Sequence, residues 1–311
     1  MQKTKKFIDF IITQKCTFRC KYCSQSKNQN NEQQHAKKET IDAFLKFLDK
    51  IDKEYEITIT GGEALLHPIF FQLINEIAKK GFKINLITNL SFSIEKYCKI
   101  FSILSDSLNI FDISFHLDEI KNFNEYINKL KILLNLKPKL TQFRFLIPIY
   151  NLTDEKEQKI NILKNLAKEN NIDCEFQQIR FLNKYSKTSE KEKEYIKEQI
   201  TKSYSHYCYA GSLSAVIYEN GECYRCYSSR FLKANYIGNI KDKNFSLLSK
   251  PKPCIHNICT CPKPKNYNQI LDKKSKFFAL YLKYYSLLFL PYYFVKNFNI
   301  VKIKLKHFLS K

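Results

Sequence analysis

Three cysteines near the N-terminus are the residues of this sequence most suited to metal chemistry. Cys16, Cys20 and Cys23 lie in the segment CTFRCKYC, with three and then two residues between them and no fourth cysteine nearby. Structural zinc sites and iron–sulfur cubes usually take four protein ligands. Three thiolates around a four-iron cube leave one iron with open coordination sites, which can bind an amine and a carboxylate. We therefore predict a 4Fe-4S cluster, with a zinc knuckle or a ferredoxin-like corner as the alternatives.

A second group of cysteines lies in the C-terminal half. Residues 206–262 contain six of the eleven cysteines, in the segments HYCYAGSLSAVIYENGECYRC and PCIHNICTCP. The run VIYENGECYRC predicts a β-hairpin with Asn220–Gly221 at the turn, which would bring Cys208 and Cys226 to one side. A proline-rich loop carrying Cys254, Cys259 and Cys261 would complete a metal site.

Composition predicts a folded protein that keeps its thiols reduced. The chain has 311 residues, of which 44% are hydrophobic and 14% aromatic, and a disordered protein would have far fewer of both. The apolar run after the basic N-terminus is only seven residues long and lacks a cleavage site, so we expect no signal peptide. Eleven cysteines without an export signal favour metal or redox chemistry in the cytoplasm over disulfides.

The net charge of +22 has two explanations that the sequence leaves open. The enriched residues Lys, Asn, Ile, Phe and Tyr are encoded by AT-rich codons, which would make the charge incidental. Alternatively, the charge attracts an anionic partner such as nucleic acid, lipid headgroups or an acidic peptide. The charge is uneven, because nine lysines follow Asp272, the last acidic residue.

Short apolar strands alternate with longer helical patterns over the first 180 residues. Gly81 predicts a helix end, and Thr153–Asp154 with Glu157 predicts a helix start. Repeated strand–helix units indicate a parallel α/β sheet, and six of them indicate an open, partial (β/α)6 TIM-like barrel. The predicted strands are Phe7–Thr13, Glu56–Thr60, Lys83–Asn89, Phe111–Leu117, Phe143–Ile149 and Asp173–Ile179. The predicted helices are Thr40–Lys53, Ile69–Lys80, Ile94–Ser105, Phe123–Leu136 and Asp154–Asn170.

The residues with chemical potential fall at one edge of this sheet. The cysteine loop, Gly61–Glu63, Thr88–Asn89 and His116–Asp118 all fall at the C-terminal ends of predicted strands. In parallel α/β folds the carboxyl ends of the strands carry the active site. The placement of these residues at one edge therefore supports a functional site there.

From about residue 8 to residue 180 the sequence resembles the radical S-adenosylmethionine (SAM) superfamily. The resemblance lies in CxxxCxxC, in TGGEALLHP (Thr60–Pro68), in ITN (Ile87–Asn89) and in ISFHLD (Ile113–Asp118). It implies that the cluster of Cys16, Cys20 and Cys23 binds SAM. The residues it implies around SAM are Tyr22 at the adenine, Gly61, Gly62 and Glu63 at the methionine amino group, Thr88 and Asn89 at the third strand end, Ser114 near the ribose or carboxylate, and Arg144 at the carboxylate.

The resemblance also implies a reaction. An electron from a donor such as flavodoxin or ferredoxin would cleave SAM to methionine and a 5′-deoxyadenosyl radical, which abstracts hydrogen from a substrate. The substrate class expected is a peptide or protein, with a sugar or lipid-linked glycan as the alternative; the sequence identifies no catalytic side chain. A simple electron carrier needs neither GGE nor the α/β repeat, and a zinc-knuckle nucleic-acid-binding protein is the most distant alternative.

The second cysteine group resembles the start of the SPASM domain or its shorter twitch form. Twelve residues separate Cys208 from Gly221, and four separate Gly221 from Cys226, but the later run of four cysteines is missing. The resemblance implies one auxiliary 4Fe-4S cluster, with a structural zinc as the alternative. Its ligands would be four of Cys208, Cys226, Cys254, Cys259 and Cys261, leaving Cys223 as the spare thiol.

These predictions divide the chain into four parts. Residues 1–182 form the barrel, 183–205 a charged linker or helix, 206–265 the auxiliary module, and 266–311 an aromatic, lysine-rich tail. Lys283 and Pro291 interrupt the apolar run Phe277–Val295, so a membrane span is not expected. The tail instead caps the barrel or lies on an anionic membrane surface, which would place a cytoplasmic protein at the inner face of the membrane.

Other suggestive residues have structural interpretations. We expect His67 to anchor a loop beside Pro68, and His116 to point into the barrel, where a substrate contact is the alternative. Cys98 and Cys174 are expected to be buried apolar residues. The polar tract Asn28–Gln34 is expected to be a solvated loop, with a lid as the alternative.

Overall fold

The computed structural model of the protein describes residues 5–23, 35–178, 206–227, 235–253 and 271–272. Up to residue 178, six strands alternate with five helices. The strands are β1 (Lys6–Thr13), β2 (Tyr55–Gly61), β3 (Lys83–Thr88), β4 (Leu108–Ser114), β5 (Gln142–Ile149) and β6 (Asp173–Gln178). The helices are α1 (Lys38–Leu48), α2 (Phe70–Lys79), α3 (Ile94–Leu104), α4 (Phe123–Asn135) and α5 (Asp154–Glu169).

Strands β1 to β6 pair in chain order, and each is parallel to the next. The sheet formed by the described strands is open rather than closed into a barrel. This architecture confirms the predicted α/β fold with an open, partial barrel. Because the strands are parallel, their carboxyl ends lie along one edge, where the predicted functional residues follow β1 to β4.

The two faces of the sheet differ in polarity. Alternate residues of β1, Ile8, Phe10 and Ile12, are fully buried against the helices, and the Phe10 ring stacks on Phe44 of α1 at 4.1 Å. The opposite face is more mixed, because it carries Asp9, in register with Thr58 of β2, as well as Ile11, which packs in a small apolar cluster with Val216. The apolar face provides most of the burial that stabilises the fold, and the more polar face is free to line a site.

Helix ends follow the local sequence. Thr153 caps α5 by accepting a hydrogen bond from the Lys156 N–H, and Asn122 caps α4 in the same way through Glu125. Gly81 follows α2 with φ +82°, a left-handed conformation that glycine adopts without strain, as its position predicts. Because Thr153 is the cap, Glu157 lies one residue beyond the position of a capping-box partner.

Two predicted elements have bounds that are wrong by more than two residues, strand β4 at both ends and helix α1 at its C-terminal end. Strand β4 begins at Leu108, because Leu108 pairs with Ile84 of β3, and it ends at Ser114. His116–Asp118 therefore lie beyond the strand. Helix α1 ends at Leu48 rather than Lys53, because the Asp52 carboxylate accepts a hydrogen bond from the Glu54 N–H and starts a turn.

The C-terminal half adds to the same sheet. Strand β8 is parallel to β1, β9 is antiparallel to β8, and β10 is antiparallel to β9. The predicted hairpin is therefore present, with Gly221 at φ +88° in its turn, and it extends the barrel sheet beyond β1. Strands β11 and β12 flank β7 in a small second sheet. The strands are β7 (His206–Cys208), β8 (Ser214–Ile217), β9 (Glu222–Tyr224), β10 (Tyr236–Asn239), β11 (Lys252–Pro253) and β12 (Leu271–Asp272).

Several predicted features lie outside the described residues. They are the tract Asn28–Gln34, the linker 183–205, the cysteines Cys254, Cys259 and Cys261, and the tail beyond residue 272. In the part of the chain that is described, no helix has the length and apolar character needed to cross a membrane.

Candidate active site at the strand ends

The loop that follows β1 carries the first three cysteines. Cys20 is buried and Cys16 and Cys23 are half-buried, and the Cys23 N–H donates to the Cys20 carbonyl at 3.0 Å. Burial, the Glu119 carboxylate and the two other thiols raise the pKa of Cys20 to about 12. The three thiols are thus close enough to oppose one another's ionisation, which a bound cation would reverse.

The donor set fits an iron–sulfur cluster. The Phe18 N–H donates to the Cys16 sulfur at 3.4 Å, and N–H···S bonds of this kind tune cluster thiolates. Burial raises the pKa of the Cys16 thiol, so iron binding would release its proton. Among the described residues, no three His, Cys, Asp or Glu side chains are arranged to hold a metal ion. The cluster ligands therefore remain a prediction.

Gly61 and Gly62 let the end of β2 pack directly against the cysteine loop. The Gly62 N–H donates to the Thr13 carbonyl at 2.9 Å, and the Glu63 N–H donates to the Lys15 carbonyl at 2.8 Å. A Cβ atom on Gly61 would lie 2.3 Å from the Thr13 oxygen, and one on Gly62 would lie 2.3 Å from the Lys15 oxygen. Both positions therefore require glycine for packing within the protein itself.

The Glu63 carboxylate joins the ends of β2 and β3. It is 1% exposed and accepts hydrogen bonds from the Thr88 hydroxyl at 3.1 and 3.2 Å and from the Asn89 N–H at 2.8 Å. Burial raises its pKa to about 7, although these donors act in the opposite direction. Glu63 thus holds the turn in place through Thr88 and Asn89, two residues that the sequence also assigns to the site.

Asn89 connects the end of β3 to the cysteine loop. Its side-chain amide donates to the Thr17 hydroxyl at 2.9 Å and lies 3.6 Å from the Cys16 sulfur. Leu90, the next residue, is fully buried with φ +60°, a conformation that is uncommon outside glycine and asparagine. The third strand end therefore supports the first cysteine directly.

An aromatic cluster lies beside the third cysteine. The Tyr22 hydroxyl is 2.8 Å from the His116 Nδ1, and the two rings stack at 5.8 Å. Burial lowers the pKa of His116 to about 4, so its ring is neutral at pH 7. The Tyr150 ring lies 4.9 Å from Tyr22. Sequence reasoning missed Tyr150, although its position directly after β5 could have indicated it.

Arg144 is bound to a carboxylate that the sequence analysis did not single out. Its guanidinium donates to both oxygens of Asp112 on β4, at 2.7 and 2.5 Å. Asp112 lies two residues before Ser114, the last residue of β4, so both face the polar side of the sheet.

The second cysteine group is partly described. Cys208 is buried and its sulfur accepts a hydrogen bond from the Ala210 N–H at 3.4 Å, while Cys226 is half-buried just beyond β9. Cys223 is fully buried in the core beside the helices, and burial raises the pKa of its thiol. Its position favours the prediction that Cys223 is not a ligand.

A buried pair links the hairpin to the cysteine loop. The Gln14 side-chain amide donates to the Glu219 carboxylate just beyond β8. No sequence pattern indicated this pair, because 205 residues separate its members. Pairing of β8 with β1 brings the two together.

The remaining candidates are mainly structural. His67 accepts a hydrogen bond from the Ile69 N–H and contacts the Ala36 carbonyl, which confirms that it anchors a loop. The prediction that Cys98 and Cys174 are buried is wrong, because both are only half-buried. Cys174 packs against the edge of the core.

Residues 10–159, just under half of the chain, match the model of the Radical SAM superfamily. Two curated proteins match within shorter segments. A Selenomonas ruminantium S-adenosylmethionine-dependent nucleotide dehydratase is 34% identical over 82 residues, which are 26% of this chain and 29% of that protein. A Pyrococcus furiosus tungsten-containing aldehyde ferredoxin oxidoreductase cofactor-modifying protein is 32% identical over 88 residues, 27% of this chain and 24% of that protein. The matches thus span less than a third of either relative.

Solved structures share the fold. Streptococcus suis SuiB bound to the precursor peptide SuiA superposes with a TM-score of 0.57 at 16% identity, over 78% of this chain and 63% of SuiB. Native anSMEcpe with bound AdoMet and the Cp18Cys peptide gives a TM-score of 0.55 at 17% identity, over 76% of this chain and 77% of anSMEcpe. At these identities the likeness establishes the architecture of the chain.

Proposed function

We propose that this chain, an enzyme whose residues 10–159 match the model of the Radical SAM superfamily, uses S-adenosylmethionine to modify a peptide substrate. The observation that carries the proposal is the convergence of the ends of β2 and β3 on the loop that follows β1. Gly62 and Glu63 bind the backbone of the loop before Cys16, and Asn89 reaches Thr17 directly after it. These contacts tie the loop that carries the three cysteines to the ends of β2 and β3, which supports the proposal because cluster-dependent SAM chemistry requires a fixed cysteine loop.

Cys16, Cys20 and Cys23 would hold a 4Fe-4S cluster, and four of the C-terminal thiols would hold one auxiliary 4Fe-4S cluster. When bound, the first cluster supplies the electron that splits SAM into methionine and the 5′-deoxyadenosyl radical that abstracts substrate hydrogen. The electron comes from a donor such as flavodoxin or ferredoxin. Among the auxiliary ligands, Cys208 and Cys226 are the described candidates, completed by two of Cys254, Cys259 and Cys261.

The residues around SAM have distinct tasks in this proposal. The Tyr22 and Tyr150 rings offer an apolar surface for the adenine. Arg144, which is oriented by its ion pair with Asp112, would contact the SAM carboxylate. Glu63 is 1% exposed, so it acts by holding Gly61, Gly62, Thr88 and Asn89 in place. Ser114 completes the set at the end of β4, near the ribose or the carboxylate.

The peptide class rests on the neighbouring folds. SuiB and anSMEcpe, whose structures contain bound peptides, match three quarters of this chain in architecture. A small molecule is the second candidate, because the Selenomonas ruminantium relative is described as a nucleotide dehydratase. A sugar or lipid-linked glycan belongs to this second class.

The chemistry can be tested with anaerobically reconstituted protein. We expect a brown protein with a 4Fe-4S cluster that releases 5′-deoxyadenosine from SAM when dithionite is added. Cys16→Ala, Cys20→Ala and Cys23→Ala should each abolish this release, while Cys98→Ala on α3 should retain it. Colourless zinc protein without SAM cleavage, together with salt-dependent nucleic-acid binding, would instead identify a zinc-knuckle protein.

The substrate class needs a second measurement. Candidate peptides encoded beside the gene are incubated with SAM and reductant, and their masses are compared before and after. A peptide whose mass changes only with wild-type protein supports the proposal. Turnover of nucleotides or sugars, with every such peptide unchanged, would favour the small-molecule class.

A further inference from the structure

The two ring nitrogens of His116 differ in their surroundings. Its Nδ1 lies 2.8 Å from the Tyr22 hydroxyl, whereas its Nε2 has no hydrogen-bond partner within the described part of the chain. The buried side-chain atoms that lack a partner in that part are Gln14 Oε1 and His35 Nδ1, so the Nε2 of His116 keeps access to solvent. This nitrogen is therefore available to a bound molecule.

The His116 ring is held in place on several sides. It stacks on Tyr22 with the ring centroids 5.8 Å apart and the planes 26° from parallel, and it lies nearly perpendicular to the Phe18 ring at 6.0 Å. The Glu119 N–H donates to the His116 carbonyl at 2.9 Å. The Glu119 carboxylate in turn accepts a hydrogen bond from the Arg19 N–H of the cysteine loop at 3.0 Å. The direction in which Nε2 points is thus fixed relative to this loop.

The hydrogen bonds of Tyr22 determine which nitrogen of His116 carries the proton. The Tyr22 hydroxyl also hydrogen-bonds the Cys20 side chain, and Cys20 as a cluster ligand is a thiolate, which can only accept. A hydroxyl has one proton, which Tyr22 donates to this sulfur, so its oxygen accepts the Nδ1–H of His116. Since the ring is neutral at pH 7, Nε2 is the unprotonated nitrogen and can only accept a hydrogen bond.

The rings near Nε2 favour a planar ligand with a hydrogen-bond donor. The Tyr150 ring lies 4.9 Å from Tyr22, and aromatic surfaces of this kind stack on planar heterocycles. The planar group of SAM is adenine, whose 6-amino group is a donor. An acceptor nitrogen matches this amino group and opposes the 6-oxo group of hypoxanthine, which is itself an acceptor.

We propose that His116 determines the base specificity of the SAM site, because its Nε2 accepts a hydrogen bond from the adenine 6-amino group. The inference rests on the proposed function, since it requires SAM to bind at the cysteine loop. Tyr22 acts through His116, because its hydroxyl keeps Nε2 unprotonated.

The experiment measures equilibrium binding to the full chain after anaerobic reconstitution of its clusters. The ligands are SAM and its S-inosyl analogue, in which a 6-oxo group replaces the 6-amino group, and the readout is the ratio of their dissociation constants. Both ligands are measured on the same preparation, so the ratio does not depend on how many molecules carry a cluster.

The variants separate the two nitrogens of His116. His116→Asn keeps a donor near the position of Nδ1 but ends before Nε2, whereas His116→Gln places an amide oxygen near the position of Nε2. His35→Asn is the matched control, because the His35 ring packs on His67 at 5.1 Å rather than in the aromatic cluster. Tyr22→Phe is the second variant if His116→Asn does not fold, since it releases the tautomer and should also lower the ratio.

We expect the wild-type protein to bind SAM about tenfold more tightly than the analogue, because a single unmatched polar group has an effect of this size. His116→Asn should weaken SAM binding until the two dissociation constants agree within about twofold. His116→Gln should keep most of the preference for SAM, and His35→Asn should keep the wild-type ratio.

The outcomes separate the inference from the proposed function. If the wild-type protein binds neither ligand, the proposed function is wrong and the inference falls with it. If it binds both ligands equally, or if His116→Asn keeps the wild-type ratio, the inference alone is wrong. A His116→Asn protein that keeps the ratio but melts earlier or turns over substrate more slowly would assign His116 to the fold or to the substrate and would also overturn the inference.

Discussion

Gly62 is the residue at which the fold and the proposed chemistry depend most directly on a missing side chain. A Cβ atom there would lie 2.3 Å from the Lys15 carbonyl oxygen and 2.8 Å from that of Gln14. Both are backbone atoms, so Gly62→Ala must displace the loop that precedes Cys16. We expect the variant to lose its SAM cleavage and the iron of the first cluster, which is half of the iron in a protein with two 4Fe-4S clusters, as measured by 5′-deoxyadenosine release and iron analysis.

Gly81→Ala provides the matched control. Gly81 has φ +82° but open space around its Cα, so the substitution costs about 1 kcal/mol of backbone strain without touching the site. This variant should melt slightly earlier and keep its iron. If Gly62→Ala also keeps a full cluster, the contact between the β2 turn and the cysteine loop does not position the thiols.

Glu63 predicts a pH dependence of stability. Burial raises its pKa from 4.5 to about 7 in the folded protein, so the folded state binds this proton more tightly than the unfolded state. The stabilisation is fully present below pH 4.5 and is lost as the pH rises to 7. Glu63→Gln has no such proton, so its stability relative to wild type should rise by about 3 kcal/mol between pH 4.5 and pH 7.5.

Denaturant titrations of both proteins across this pH range measure the difference. Only the change with pH in the difference between the two unfolding free energies is diagnostic, because a glutamine amide is also a weaker acceptor for the Asn89 N–H and lowers stability at every pH. Glu169→Gln, an exposed carboxylate at the end of α5, is the control and should follow wild type. Parallel curves for wild type and Glu63→Gln would mean that Glu63 does not titrate in this range.

Among the elements, α5 tests how far a helix depends on its cap. Thr153 accepts a hydrogen bond from the Lys156 N–H, and Thr153→Ala should cost about 1 kcal/mol of unfolding free energy. Lys37, at the same position before α1, makes no side-chain cap bond, so Lys37→Ala should cost much less. Equal losses in thermal or denaturant unfolding would contradict the assignment of the cap.

The same elements show what local sequence can predict. Five of the six barrel strands agree with the predicted bounds within one residue, because their buried apolar runs end at polar or glycine residues. Strand β4 differs by three residues, since its start is set by pairing between Leu108 and Ile84 rather than by its own sequence. The end of α1 depends on a side-chain turn at Asp52, a competitor that helical periodicity does not reveal.

Long-range contacts account for what sequence reasoning missed in the site. The cysteine spacing and GGE indicated the cluster loop and the β2 turn, because each lies within a few consecutive residues. The Arg144–Asp112 pair, the Tyr22–Tyr150 contact and the Gln14–Glu219 pair come from residues far apart in sequence. Likewise, the hairpin was predicted from Asn220–Gly221, but its place beside β1 depends on pairing between residues about 200 positions apart.

At the scale of the whole molecule, the net charge of +22 is explained either by recognition of an anionic partner or by composition alone. The two explanations predict different effects of salt. If the charge serves recognition, it steers an acidic electron-donor protein to the enzyme. The rate at which this donor reduces the cluster should then fall steeply as salt rises, because the Debye length shortens from about 10 Å at 0.1 M to about 3 Å at 1 M. Stopped-flow reduction at several salt concentrations measures this. A small viologen dication is the control, because the positive field does not attract it and its rate should not fall. If the rate of reduction by the acidic donor also does not fall as salt rises, the lysines do not steer the donor, and the charge follows from composition alone.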